Sequence, residues 1–231
     1  MSAPTGPLPV PAVVAGLAAH RPVSAVWVNE LGGVTFGIGA PRPVEYVKTY
    51  PEPLAHLLAA EVDRLRWAIG HAPVPRVLAW GPGWLHTAAL PGRSAVDPVF
   101  AERPDVAAAA IGTGLRMLHD ALPVADCPFG PPPWVGDAPP PADRLVVCHG
   151  DACAPNTLIA DDATPAGHVD LGELGVADRW ADLAIATMSL DWNFGGEGFE
   201  AVLLDAYGVA PDPDRIAHYR ARWNDEAPAP G

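Results

Sequence analysis

Apolar and polar residues alternate along three short stretches near the N-terminus. Residues 23–28 and 34–38 read as strands around the turn Asn29-Glu30-Leu31-Gly32-Gly33, and residues 44–48 as a third strand. The period then changes. Leu54, Leu57, Leu58, Leu65 and Ala68 recur at helical spacing, which predicts a helix over 54–69 closed by Pro73 and Pro75. Residues 77–80 and 84–89 predict two more strands around Gly81-Pro82-Gly83. These elements make a small sheet with one helix, and Leu90-Pro91-Gly92 marks a crossing into a second lobe.

The rest of the chain is mostly helical in pattern. Residues 105–122 carry Ile111, Leu115 and Leu118 on one stripe, and residues 178–190, 198–207 and 213–223 predict three further helices. Between them lie a proline-rich loop at 130–141, a strand at 145–148, and a hairpin of 157–160 with 167–169 around the turn 161–165. The reading is α+β with two lobes: a small β-rich N-terminal lobe over residues 1–90 and a mostly helical one over 91–231.

Composition narrows the partners. The chain has 49% hydrophobic and 18% charged residues, so it can build a packed core. Its net charge of −13 argues against nucleic acid or an anionic membrane and suits a cationic small molecule. Residues 1–19 lack a basic head and are interrupted by prolines 4, 7, 9 and 11, and no run approaches the roughly 20 apolar residues of a membrane span. Cys127, Cys148 and Cys153 are odd in number and have no paired zinc spacing, so reduced thiols and a cytoplasmic location are expected.

Chemistry concentrates in one region. The apolar strand Val146-Val147-Cys148 delivers His149-Gly150-Asp151, Asn156 follows five residues later, and Asp170 opens Asp170-Leu171-Gly172. Kinase-type phosphoryl-transfer sites use this spacing: one carboxylate to take the acceptor hydroxyl's proton, then an amide and a second carboxylate to hold Mg²⁺. Hard oxygen ligands suit that ion, and thiols and imidazoles do not. Asn156 and Asp170 flank the predicted hairpin, which brings both toward Asp151. His149 is expected to tie the loop to the core, and Asp182 either to cap its helix or to brace that loop.

Upstream, Lys48 ends an alternating strand, where it is either a solvated strand end or a ligand to nucleotide phosphates. Glu61 lies on the apolar stripe of the 54–69 helix, where an unpaired carboxylate is costly. A Lys48–Glu61 ion pair removes that cost and orients the lysine. Glu52 is the competing partner, in a proline-flanked loop. The Gly32-Gly33 turn is a candidate to donate N–H groups to phosphates.

These motifs, taken with Trp27 to Phe36, Glu61-Val62-Asp63-Arg64-Leu65-Arg66-Trp67, Trp84 to Ser94, Gly114 to Asp120 and Leu122 to Phe129, give a chain that resembles the aminoglycoside phosphotransferase family, in its 3′-phosphotransferase branch. The resemblance runs from about residue 25 to about 223 and implies a protein-kinase-like fold using ATP and Mg²⁺ between two lobes. It implies Asp151 as catalytic base, Asn156 and Asp170 as metal ligands, Lys48 on the phosphates with Glu61 positioning it, and the backbone of residues 87–89, including Thr87 and Ala89, holding the adenine. Asp191, Glu197, Asp225 and Glu226 are the candidate carboxylates for a cationic acceptor. The chain departs from the family in three places. A helical insertion expected before His149 is replaced by the proline loop, Glu173 stands where many relatives have Arg, and the acidic C-terminus ends in a Pro-Ala tail.

Overall fold

A computed structural model describes residues 4–137, 139–195 and 198–226. The chain divides into two compact units, Met1–Gly70 with Val74–Leu90, and His71–Pro73 with Pro91–Gly231.

In the first unit, helix α1 (Ala12–Ala18) precedes strands β1 (Val23–Val28), β2 (Val34–Ile38) and β3 (Glu45–Thr49). Helix α2 (Ala55–Ala68) follows, then β4 (Val77–Gly81) and β5 (Trp84–Ala88). The five strands form one antiparallel sheet in the order β1-β2-β3-β5-β4. Strand alternation decides what faces what. Phe36 and Ile38 of β2 and Val47 of β3 are buried together with Val14 and Ala18 of α1. Lys48, next along β3, therefore turns to the other face, where α2 packs. That helix buries Leu58, Val62, Leu65 and Ala68, and Glu61 among them.

Helix α1 is an addition to the sequence reading. Prolines 7, 9 and 11 disguise it, yet Pro11 stands just outside the first turn and its carbonyl accepts the N–H of Ala15. Burial of Val14 and Ala18 on the sheet, rather than the propensity of a seven-residue segment, holds it.

Among the described residues, the second unit holds two small sheets and five α-helices. β6 (Arg93–Ser94) is followed by α3 (Pro98–Ala101), α4 (Pro104–Ala121) and β7 (Leu145–Cys148). β8 (Thr157–Ile159), β9 (Pro165–His168), β10 (Gly175–Asp178), α5 (Arg179–Phe194), α6 (Phe199–Tyr207) and α7 (Pro213–Glu226) complete it. β6, β8 and β9 pair in that order, and β10 pairs antiparallel with β7. Every residue of α5 from Trp180 to Leu190 is buried, the polar Asp182, Thr187 and Ser189 included. α4 and α6 approach so closely that a Cβ on Gly112 would lie 2.2 Å from the Leu203 carbonyl oxygen.

Two expectations change. The turn after Asp170 continues into β10, a strand whose four residues are too few to show alternation. The 130–141 segment is not simply solvated loop: Pro133–Val135 form a 3₁₀ turn in which Trp134 and Val135 are buried. Among the described residues no helix is long and apolar enough to cross a membrane.

Candidate active site

The β7 strand ends at Cys148, and the chain turns sharply through His149-Gly150-Asp151. Gly150 sits at φ +87°, and a Cβ there would lie 2.2 Å from the Glu173 carbonyl oxygen, so glycine is required on both counts. Asp182, fully buried on α5, braces this turn. Its Oδ2 accepts from the His149 N–H (2.6 Å) and its Oδ1 from the Gly150 N–H (3.0 Å). His119 of α4 approaches Asp182 Oδ2 at 2.9 Å through Nε2 and the Tyr207 hydroxyl at 2.9 Å through Nδ1. Of the two roles open to Asp182, the structure selects the brace; Asp178 caps α5 by accepting from the Trp180 N–H. Burial pushes the Asp182 carboxyl up, but His119, His149 and the loop amides outweigh it and hold it below its ordinary range.

His149 is buried, and its tautomer follows from its partners. Nδ1 accepts from the Asp151 N–H at 3.3 Å, so Nε2 carries the hydrogen and donates to the Val169 carbonyl at 2.9 Å. The ring joins the loop to the hairpin end that carries Asp170, a structural task.

Asp151 follows directly. Its Oδ2 accepts from Asn156 Nδ2 at 3.1 Å, and the same amide nitrogen donates to the Asp151 carbonyl at 3.0 Å. Oδ1 is buried with no hydrogen-bond partner. Burial first, and the charge of Asp170 second, push the Asp151 carboxyl above its ordinary range, against the smaller opposing effects of Cys153, His149 and Asn156. Asp170 occupies the left-handed region at φ +63°, which aspartate tolerates better than most residues. Asn156 and Asp170 are brought to adjacent chain ends by the β8–β9 hairpin, closed by the Val169 N–H bonding the Asn156 carbonyl at 3.0 Å. Asn156 thus spends its nitrogen on Asp151 and keeps Oδ1 for another ligand. An amide oxygen and a carboxylate beside a second carboxylate are a hard-oxygen donor set of the kind Mg²⁺ takes. The other cluster of metal-ligand types, His119, Cys148 and Asp182, has both carboxylate oxygens committed to N–H groups and reads as the brace itself.

In the first unit, Lys48 Nζ lies 2.8 and 3.0 Å from the two carboxylate oxygens of Glu61, with both side chains largely buried. Glu61, not Glu52, is therefore the lysine's partner; Glu52 opens a 3₁₀ turn. The N–H groups of the candidate backbone segments have acceptors within the unit. The N–H groups of Leu31 and Gly33 bond Asn29 Oδ1 at 3.1 and 2.7 Å, and that of Gly32 bonds the Asn29 carbonyl at 3.2 Å. The turn satisfies its own donors through Asn29. Thr87 is enclosed in the sheet between Tyr46 and Val77, and the N–H groups of Ala88 and Ala89 bond the Arg76 and Val44 carbonyls at 2.9 Å. The next N–H, on Leu90, has no partner among the described residues, and Pro91 has none to offer.

Of the carboxylates expected to meet a cationic acceptor, Asp191 is exposed on α5 and Asp225 is exposed on α7. Glu197 lies outside the described residues, and of Glu226 only its place in α7 is described. Two tryptophans escaped the sequence reading. Trp192, beside Asp191, is 55% exposed, and Trp134 is buried against the His149–Asp151 turn. Neither carries a spacing signal; only the tertiary structure reveals them.

The model of the phosphotransferase enzyme family matches residues 132–219. The chain is 34% identical over 245 residues to a streptomycin 3″-kinase of Streptomyces griseus, covering 84% of this chain and 89% of that protein. The chain belongs to the aminoglycoside phosphotransferase family. An aminoglycoside 3′-phosphotransferase of Streptomyces fradiae is 32% identical over 78% of this chain and 85% of that one. Among solved structures, the aminoglycoside phosphotransferase APH(3″)-Id of Streptomyces rimosus superposes with a TM-score of 0.70, at 28% identity over 90% of this chain and 93% of that one. A second structure of that enzyme, in complex with ADP and streptomycin, gives a TM-score of 0.65. The fold is thus the α+β protein-kinase-like fold of the family. Its members here phosphorylate at 3″ and 3′ positions alike, so the resemblance to the 3′ branch holds without singling it out. Only 84% of 231 residues spans 245 aligned positions, so the Streptomyces griseus phosphotransferase carries segments this chain lacks.

Proposed function

We propose that this protein transfers the γ-phosphoryl group of ATP to a hydroxyl of an aminoglycoside, with residues 1–90 holding the nucleotide and residues 91–231 supplying the base and the acceptor site. The observation that carries this reading is Asp151: a carboxylate on a doubly braced turn, with one oxygen buried and unpartnered beside the hard-oxygen pair Asn156 and Asp170. The ADP in the structure of the Streptomyces rimosus enzyme supports an adenine nucleotide.

In this reading Asp151 Oδ1 accepts the proton of the acceptor hydroxyl. The freed oxygen attacks the γ-phosphorus in line, the bond to the bridging oxygen breaks, and ADP leaves. Asn156 Oδ1 and the Asp170 carboxylate would hold Mg²⁺, which neutralises charge on the phosphates when bound. Asn156 has a second duty, since its Nδ2 keeps Asp151 Oδ2 fixed and leaves Oδ1 of that carboxylate to take the proton. Lys48, oriented by Glu61, pairs with the phosphates. Leu90 N–H, rather than those of Thr87 or Ala89, donates to the adenine. Gly32 and Gly33 serve by keeping their turn compact. A Glu61→Gln protein retains the shape of the pair but loses its charge, and kcat/KM for ATP is expected to fall by about 10- to 100-fold, with the acceptor KM unchanged. Steady-state titration of each substrate checks this.

The acceptor is cationic in this reading. Net charge −13, exposed Asp191 and Asp225, and exposed Trp192 suit an amino sugar, whose ammonium groups pair with carboxylates and whose ring covers an aromatic face. The enzyme would work in the cytoplasm, with ATP at hand and three free cysteines kept reduced. The short 130–144 segment favours a second reading, a kinase of the same fold for another small hydroxylated acceptor. ATP turnover across a panel of aminoglycosides, streptomycin included, and other amino sugars separates the two; nucleotide binding with no transfer to any acceptor would contradict both.

A further inference from the structure

The proline-rich segment before the catalytic strand is tied to that strand's end through Trp134. Trp134 is buried, and its indole N–H donates to the Gly150 carbonyl at 2.8 Å. Its ring packs edge-on against Tyr219 and Trp223 of α7, with centroids 6.3 and 5.1 Å away. The bond to Gly150 falls at a sensitive place. The peptide unit joining Gly150 to Asp151 has two polar groups, and each has one buried partner: Trp134 Nε1 on the carbonyl, and His149 Nδ1 on the Asp151 N–H at 3.3 Å. The latter bond is long. The plane of that peptide sets the direction in which Asp151 leaves the chain, and the indole is its closer hold.

We propose that Trp134 is a positioning residue: its indole N–H fixes the Gly150–Asp151 peptide and thereby aims the Asp151 carboxylate, so that the shortened segment contributes to catalysis and not only to packing. The inference rests on the reading of Asp151 as the base. Phenylalanine at 134 keeps an aromatic ring in the pocket but leaves a buried carbonyl without its donor, a loss large enough to cost about tenfold in rate. Phenylalanine at 223 disturbs the same aromatic cluster and leaves the N–H in place.

The test compares Trp134→Phe with Trp223→Phe. In Trp134→Phe, kcat for phosphoryl transfer is expected to drop about tenfold with KM for ATP unchanged, and amide hydrogen exchange at Asp151 to rise, while the Ala154 amide, bonded to Ser189 Oγ at 2.9 Å, keeps its protection. Trp223→Phe is expected to lose thermal stability yet keep kcat and Asp151 protection. Wild-type kcat and wild-type exchange in Trp134→Phe would overturn the proposal, as would an equal loss in Trp223→Phe, which would assign the effect to packing. The exchange measurement needs no acceptor. If the wild-type protein phosphorylates nothing, the functional reading fails, and unchanged Asp151 exchange in Trp134→Phe would separately refute the hold on the peptide.

Discussion

An Asp151→Asn protein is expected to lose phosphoryl transfer by about 10²- to 10⁴-fold in kcat, while it still folds and still binds nucleotide. Asparagine is isosteric and can keep the contact to Asn156 through its oxygen, so the loss isolates proton acceptance from shape. The pH dependence carries the same signature. Only the ionised carboxylate accepts a proton, and burial together with Asp170 places the Asp151 carboxyl above the ordinary value of about 3.9. In the wild-type enzyme activity should therefore fall as pH decreases and this carboxylate becomes protonated, and the residual activity of Asp151→Asn should lack this acid limb. Because the folded pKa is raised, ionised Asp151 opposes folding above the ordinary pKa of the unfolded chain, and Asp151→Asn should be no less stable than the wild type at neutral pH. Rate against pH, with urea unfolding of both proteins, checks all three statements.

The second large effect belongs to a residue that touches no substrate. Asp182→Ala removes a buried carboxylate that accepts from His149 and Gly150 and faces His119. Stripping a buried charge from its donors costs about 3–5 kcal/mol, a large share of the 5–15 kcal/mol by which domains are stable. Here the sign is opposite to that of Asp151. The folded pKa of Asp182 is lowered, so its contribution is present above the unfolded value of about 3.9 and is lost as pH falls toward the folded one. Urea midpoints should drop sharply in the variant at pH 7, and the gap to wild type should narrow in acid. Activity falls with the fold in Asp182→Ala and without it in Asp151→Asn, which separates the brace from the base.

Much of this was legible because it is local. Strands, long helices and the β8–β9 hairpin follow from periods of two and 3.6, and Asp151, Asn156 and Asp170 declare themselves by spacing within a few residues of those elements. The Lys48–Glu61 pair was readable from a carboxylate set on an apolar stripe, a local conflict that only a partner resolves. What escaped depends on long-range contact. α1 is too short to form without the sheet beneath it, and β10 is too short to alternate. Trp134 acquires meaning only when Gly150, 16 residues on, and α7 are packed around it. Nothing in the sequence shows that the N–H groups of Gly33, Ala88 and Ala89 are already committed to acceptors in the turn and the sheet. Main-chain donors are spent by tertiary pairing, and no residue type records that.

If this chain moves a phosphoryl group from ATP to an aminoglycoside hydroxyl through Asp151, the acceptor itself gains the mass of that group. The most direct measurement is mass spectrometry of the acceptor, streptomycin foremost in a panel of aminoglycosides, after incubation with ATP and Mg²⁺, for wild type and Asp151→Asn in parallel. At least one aminoglycoside is expected to gain a single phosphoryl group, matched mole for mole by ADP, and the gain to all but disappear in Asp151→Asn. An undiminished gain in the variant, or ADP formed while every acceptor keeps its mass, would contradict it.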